Sequence, residues 1–249
     1  MNLKLSVFII TQNEERIIEE CLKKLDWVNE IIVVDSGSTD NTVAICEKYN
    51  AKVFFNKFEG FGTQKQFALD KTTNDWVLSL DADEVLTDDL IAEIKSNLEF
   101  NNANFSGFYI KCRMVFFSKI FNYGSESNRN ILRLFNKTKG GFNINTVHES
   151  IVINGTTKIL KNHYLHYSYA SLSAFIDKLN KYTQLGAFNN FSKNKKYSFL
   201  TIILKTKFEF FKKYFIELNF LNGKYGFYWS FLSSFSTFTK CMKTNEFYK

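Results

Sequence analysis

Over the first hundred residues the apolar positions alternate between two spacings, unbroken runs and helical stripes. Leu3 to Thr11 is an apolar run that predicts a strand, and Ile17, Ile18, Cys21, Leu22 and Leu25 recur at helical spacing within Glu14 to Leu25. Glu30 to Val34 predicts a second strand, followed by a helix from about Thr42 to Tyr49 with Asp40 as its cap. Ala51 to Phe55 is a third strand, and Gly60-Phe61-Gly62 leads into a helix carrying Phe67, Ala68 and Leu69. The fourth strand, from Trp76, ends in Asp81-Ala82-Asp83, and Thr87 caps a helix with Leu90, Ile91, Ile94 and Leu98. Strands separated by helices require parallel pairing with right-handed crossovers. Ligands on such sheets sit beyond the strand C-termini.

Past about residue 105 the pattern changes. Gly107 to Phe117 and Asn130 to Phe135 predict longer strands, and Gly140-Gly141 and Asn154-Gly155 are turn signals. Ile151-Val152-Ile153 is expected to face Ile159-Leu160 as a hairpin across the second turn. Helices are predicted from about Ser171 to Asn190, Phe199 to Leu218 and Gly226 to Lys243. The boundary is expected near residue 190, giving a domain over 1–190, with halves of about 1–105 and 106–190, and a tail over 191–249.

Charge sharpens that division. Residues 1–180 hold 20 Lys and Arg against 22 Asp and Glu, whereas 181–249 hold 12 lysines against three glutamates, so the whole net charge of +7 comes from the tail. At 249 residues with 45% hydrophobic and 23% charged side chains, the chain is expected to be globular. Cys21, Cys46, Cys112 and Cys241 lie far apart without metal-ligand spacing and read as buried thiols in a reducing compartment. The N-terminus lacks the pattern of a secretory signal and no run of 18 apolar residues occurs, so a cytoplasmic protein is expected.

The candidate chemistry sits at the strand ends. Asp81 and Asp83 are one residue apart at the mouth of a strand, where two carboxylates converge on a hard cation suited to bridging a diphosphate. Helix capping by the same acids is the plainer alternative. Asp35-Ser36-Gly37-Ser38-Thr39-Asp40 closes the second strand in a similar way, although Asp-Ser-Gly-Ser also suits an ordinary turn. The first strand-helix turn is Thr11-Gln12-Asn13-Glu14-Glu15, not a glycine-rich fingerprint, which argues against a dinucleotide cofactor. Asp81-Ala82-Asp83-Glu84-Val85 also fits haloacid-dehalogenase-type phosphatases with Asp81 as nucleophile, but there the motif ends the first core strand and here three strands precede it.

Taken together, Ile9 to Glu15, Val33 to Asp40 and Leu80 to Glu84 resemble the glycosyltransferase family 2 pattern. Gly60 to Lys65, Leu132-Arg133-Leu134-Phe135, Val147-His148-Glu149, His166 to Tyr169 and Phe220 to Phe227 are similar to its subgroup of lipopolysaccharide inner-core β-glucosyltransferases. Asn122 to Asn128 departs from the Gly/Pro-containing segment usual before the Arg-Leu-Phe.

The resemblance implies an α/β GT-A fold, Rossmann-like, with a mainly parallel central sheet, flanking helices and here a C-terminal helical extension. It implies inverting transfer of a sugar, glucose foremost, from a UDP-sugar to a bacterial surface glycolipid such as a lipopolysaccharide or lipooligosaccharide core. Mg²⁺ or Mn²⁺ would be held by Asp83, with Asp81 on the ribose or a metal-bound water and His166 as a further metal or diphosphate ligand. Asp35 would accept from uracil, with Thr11, Asn13, Glu15, Ser36 and Gly37 around the nucleoside. Lys65 would balance the diphosphate, and Arg133 would grip phosphate bidentately or serve a structural ion pair. The base is assigned to Glu149, the one acid between Glu126 and Asp177, with a surface salt bridge as the alternative. Two other readings stand beside this: the phosphohydrolase, and a non-catalytic nucleotide-sugar scaffold.

The tail adds a partner. Leu200, Ile203, Leu204, Phe208, Phe211 and Phe215 share a face of a basic helix, which fits either peripheral contact with the anionic inner face of the cytoplasmic membrane or packing on the catalytic domain. No arginine follows Arg133 and no nucleic-acid module is present, so nucleic-acid binding is not expected.

Overall fold

The computed structural model describes residues 4–100, 104–143, 150–169 and 171–248. Two compact units emerge, one of residues 1–112 and 129–166, the other of residues 113–128 and 167–249. This division falls elsewhere than near residue 190.

The first unit opens with the expected alternation: β1 (Leu5–Thr11), α1 (Ile18–Lys23), β2 (Glu30–Asp35), α2 (Thr42–Lys48), β3 (Lys52–Phe55), α3 (Phe61–Asp70) and β4 (Trp76–Asp81). Then come β5 (Glu84–Leu86), α4 (Asp88–Phe100) and β6 (Gly107–Phe116). After β7 (Lys119–Ile120), the chain continues as β8 (Asn130–Asn136), β9 (Gly140–Phe142), β10 (Ile151–Ile153) and β11 (Thr157–Tyr169). The strand order is β3-β2-β1-β4-β8-β6-β11-β5. The first four strands are parallel, whereas β8 runs antiparallel to β4 and β5 antiparallel to β11.

Both faces of the parallel part are covered, which explains its unbroken apolar runs. Leu5, Val7 and Ile9 of β1 point into a core shared with Ile18, Cys21 and Leu22 of α1 and Leu90, Ile94 and Leu98 of α4. Phe8 and Ile10 point the other way, onto Ala68 and Leu69 of α3. At the N-terminal end of the strands, Glu30 is buried yet charged: it accepts from Ser6 Oγ at 2.6 Å and from the Thr73 N–H at 2.8 Å, and faces Lys52 Nζ at 2.9 Å.

Two expectations are corrected here. Ile151–Ile153 does not form a hairpin with Ile159-Leu160 but pairs antiparallel with β9, where Gly140 allows the approach: a Cβ there would lie 2.1 Å from the Val152 carbonyl oxygen. The segment beyond Asn154-Gly155 instead joins the main sheet as the 13-residue β11. The first helix begins at Ile18, not Glu14, because residues 13–15 are held in a loop.

The second unit is helical. Here β7 pairs with the end of β6, and α5 (Leu172–Ser192), α6 (Phe199–Phe211) and α7 (Lys224–Glu246) follow. Ser171 caps α5, accepting from the Ala174 N–H. Phe199 to Leu218 was expected as one helix, but α6 passes into a π turn over Lys212–Ile216 and stops at Leu218, whose φ of 60° is left-handed. A core of Met114, Phe116, Phe121, Phe175, Leu179 and Trp229 holds the unit together. No helix among the described residues is long and apolar enough to cross a membrane.

Candidate active site

Parallel register brings the predicted residues to one edge. Thr11 pairs with Asp35 across β1 and β2, and Ile10 pairs with Asp81 across β1 and β4, so Thr11, Asp35 and Asp81 all lie at the C-terminal edge of β2-β1-β4. Asp83 follows two residues beyond Asp81. The Asp35 carboxylate is buried and accepts from the N–H groups of Gly37 and Ser38, each at 2.8 Å. The turn this builds requires Gly37 at φ +95°, a conformation costly for other residues. Asp35 therefore does form the turn, as its sequence context allowed.

The two loops beyond this edge are joined to each other. The Asn13 N–H donates to Ser38 Oγ, and Asn13 Oδ1 accepts from the Thr39 N–H, both at 2.8 Å. Glu15 accepts from the backbone and side-chain nitrogens of Asn41, while its own N–H donates to Asp40. The buried Gln64 of α3 ties in a third segment by donating to Ser36 Oγ and to the Asn56 carbonyl. Thr11 Oγ1, by contrast, is a buried hydroxyl with no hydrogen-bond partner. An orphaned polar atom beside Asp35 is what a polar ligand would satisfy.

Behind the Asp81-Ala82-Asp83 motif lies a buried charge cluster. Asp81 faces Lys65 Nζ through Oδ1 at 3.0 Å and Arg133 Nη2 through Oδ2 at 3.0 Å. Arg133 also contacts Glu84, which in turn accepts from the Asp81 N–H at 3.0 Å. The Arg133 guanidinium lies over the Tyr164 ring, 5.6 Å from its centroid. Burial pushes the Asp81 carboxyl up, but the Arg133 and Lys65 cations hold it well below the usual carboxylate range. Burial dominates at Glu84 and pushes it up, with the Asp81 charge adding to the effect and Arg133 opposing it.

Asp83 stands apart from this cluster. Its Oδ2 lies 3.2 Å from His166 Nε2, an approach set by the sheet, since Glu84 of β5 pairs directly with His166 of β11. The other ring nitrogen of His166 meets Cys112 Sγ at 4.0 Å. Burial disfavours the imidazolium, yet the bond to Asp83, the Cys112 contact and the charges of Asp83 and Glu84 push the pKa up to about 10. Among the described residues no group of three or more His, Cys, Asp or Glu is arranged to hold a metal. The Asp83 carboxylate suits a hard cation such as Mg²⁺ or Mn²⁺, and the His166 imidazole could join it only after losing the proton it shares with Asp83.

The structure thus gathers Thr11, Asn13, Glu15, Asp35, Ser36, Gly37, Lys65, Asp81, Asp83, Arg133 and His166 within the first unit. Arg133, only 6% exposed, engages two carboxylates, the structural ion pair of its two expected roles. Glu149 lies outside the described residues. Gln64, Glu84, Cys112 and Tyr164 were not predicted at the site. Two of them had a sequence signal: Glu84 directly follows the paired aspartates, and Gln64 lies within the Gly60 to Lys65 motif.

The family model described as Glycosyl transferase family 2 matches residues 6–155. The chain belongs to glycosyltransferase family 2. An uncharacterized glycosyltransferase of Rickettsia typhi is 33% identical over 98% of this chain and 87% of the relative. The lipopolysaccharide core biosynthesis glycosyltransferase LpsC of Rhizobium meliloti is 31% identical over 89% of this chain and 82% of its own length. Among solved structures, residues 1–349 of Staphylococcus aureus TarS share 18% identity over 73% of this chain and 64% of that one, with a TM-score of 0.48. This family 2 chain is a glycosyltransferase with the GT-A arrangement, a mostly parallel sheet with flanking helices and a C-terminal helical region. The phosphohydrolase reading loses its ground, because the motif ends the fourth strand and both oxygens of Asp81 face cations.

Proposed function

We propose that this glycosyltransferase moves a sugar, most simply glucose, from a UDP-sugar to the core oligosaccharide of a bacterial surface glycolipid, with inversion at the anomeric carbon. The observation that carries the proposal is the apposition of Asp83 and His166 at the strand edge that also holds Asp35 and the unsatisfied Thr11 hydroxyl. The name of LpsC supports the acceptor class.

In this reading Thr11, Asn13, Glu15, Asp35, Ser36 and Gly37 form the nucleoside pocket. Asp83 would hold Mg²⁺ or Mn²⁺, with His166 as a further ligand once its shared proton is given up, and the bound cation would supply charge neutralisation for the diphosphate. Asp81 stays ionised under Lys65 and Arg133 and orients ribose or a bound water. The acceptor oxygen bonds to the anomeric carbon as the bond to the β-phosphate oxygen breaks. The hydroxyl proton passes to the Glu149 carboxylate, and UDP departs. An acceptor of this kind places the enzyme at the inner face of the cytoplasmic membrane.

Titration with UDP and UDP-glucose, with and without Mn²⁺, followed by transfer assays across a panel of UDP-sugars, tests the proposal. Mn²⁺-dependent UDP affinity and turnover with one donor are expected. Equal UDP affinity in EDTA would remove the metal, and phosphatase activity lost in Asp81→Asn would replace the whole reading. Binding without turnover on any acceptor would leave a scaffold.

A further inference from the structure

The second unit carries fifteen Lys and Arg against five Asp and Glu, and 25 of the 31 exposed large hydrophobic side chains among the described residues. Its most regular apolar feature runs along α6 and the π turn. Leu200, Leu204, Phe208, Phe211 and Phe215 follow one another at steps of four, four, three and four residues, a single helical stripe. The stripe faces outward: these side chains are 65%, 57%, 61%, 51% and 48% exposed, while Ile202 on the opposite side is buried. A soluble helix normally shows the reverse. Beside the stripe an open apolar groove of about 580 Å³ is lined by Phe210, Phe211, Phe227 and Phe231.

We propose that this stripe is a docking surface for an anionic lipid bilayer, with the helix lying in the headgroup layer and its leucines and phenylalanines in the acyl boundary. The inference deepens the reading of a lipid-borne acceptor and in that sense rests on it. Charge selects the occupant. Lys205, Lys207 and Lys212 flank the stripe against one acid of the same helix, Glu209, while Glu217 is already engaged by Lys213 and Ser125. A second copy seated on this face would bring two units of net +10 together, while an anionic leaflet meets the same lysines with opposite charge.

Co-sedimentation of the full chain with vesicles is the test. Wild type is expected to bind vesicles rich in phosphatidylglycerol, to bind phosphatidylcholine vesicles far less, and to be released by salt. Phe208→Glu combined with Phe215→Glu, both at exposed positions, should weaken binding by about tenfold or more while UDP-glucose hydrolysis in solution is unchanged. Equal binding of variant and wild type, or no binding of wild type to anionic vesicles, would overturn the proposal. A dimer in sedimentation velocity that the double variant abolishes, without vesicle binding, would assign the face to a second copy instead. Vesicle binding without any UDP-sugar chemistry would sink the functional reading and leave the docking surface standing.

Discussion

Replacing Arg133 with methionine would leave the buried Glu84 carboxylate and the partly exposed Asp81 carboxylate without their shared cation. Glu84 is 1% exposed and Asp81 keeps only Lys65 at 3.0 Å. Removing one partner of a buried ion pair costs about 3–5 kcal/mol, because the remaining charge is neither solvated nor paired. For a chain of this size each kcal/mol lowers Tm by roughly 2–4 °C, so a fall of about 10 °C is expected. Calorimetry of wild type, Arg133→Met, Glu84→Gln and the double variant forms the assay. The double variant should recover much of the loss, since glutamine still accepts from the Asp81 N–H and carries no charge. The penalty in Arg133→Met should also shrink toward acid pH, where Glu84, already pushed up by burial, takes a proton. A melting point for Arg133→Met within a degree of wild type, or a double variant no more stable than the single, would refute the reasoning.

Three further outcomes are expected. Asp83→Ala and His166→Ala should each abolish Mn²⁺-dependent UDP binding in titration calorimetry with the fold intact by circular dichroism; retained metal-dependent affinity in both would remove the cation from this pair. Glu149→Gln should lower turnover by about 10²–10⁴ with UDP affinity nearly unchanged, and wild-type kinetics would remove it as the base. Glu30 is pulled down to about 2 by Ser6, Thr73 and Lys52 despite burial. Its depressed pKa contributes roughly 3 kcal/mol of stability above about pH 4.5, lost as pH falls toward 2; Glu30→Gln should therefore flatten the acid limb of a pH–stability profile, and an unchanged limb would refute this.

Much of the fold was legible because β1 to β4 are buried on both faces and so read as unbroken apolar runs. Thr87 also capped α4 as its position implied, accepting from the Leu90 N–H. What escaped was long-range pairing. β5 has three residues and directly follows an acidic motif that reads as a helix start, and only β11 makes it a strand. The turn at Asn154-Gly155 was a true local signal, but the partner of Ile151–Ile153 was decided by room above Gly140, which no periodicity encodes. At the site, Asp83 and His166 were each legible as candidates, yet their meeting across 83 residues depends on sheet register. Arg133 read equally well as a phosphate ligand because only the fold reveals Glu84 beneath it.

The bonds from Asn13 to Ser38 and Thr39, and from Glu15 to Asp40 and Asn41, make two sequence-distant motifs a single mechanical part. Neither can drift or be exchanged alone: a chimera that imports one strand-turn segment from a relative must import the other, or lose both at once. If these loops bind the nucleoside as proposed, the same cross-ties give it walls already set in place, so little of its contact energy would go into ordering them.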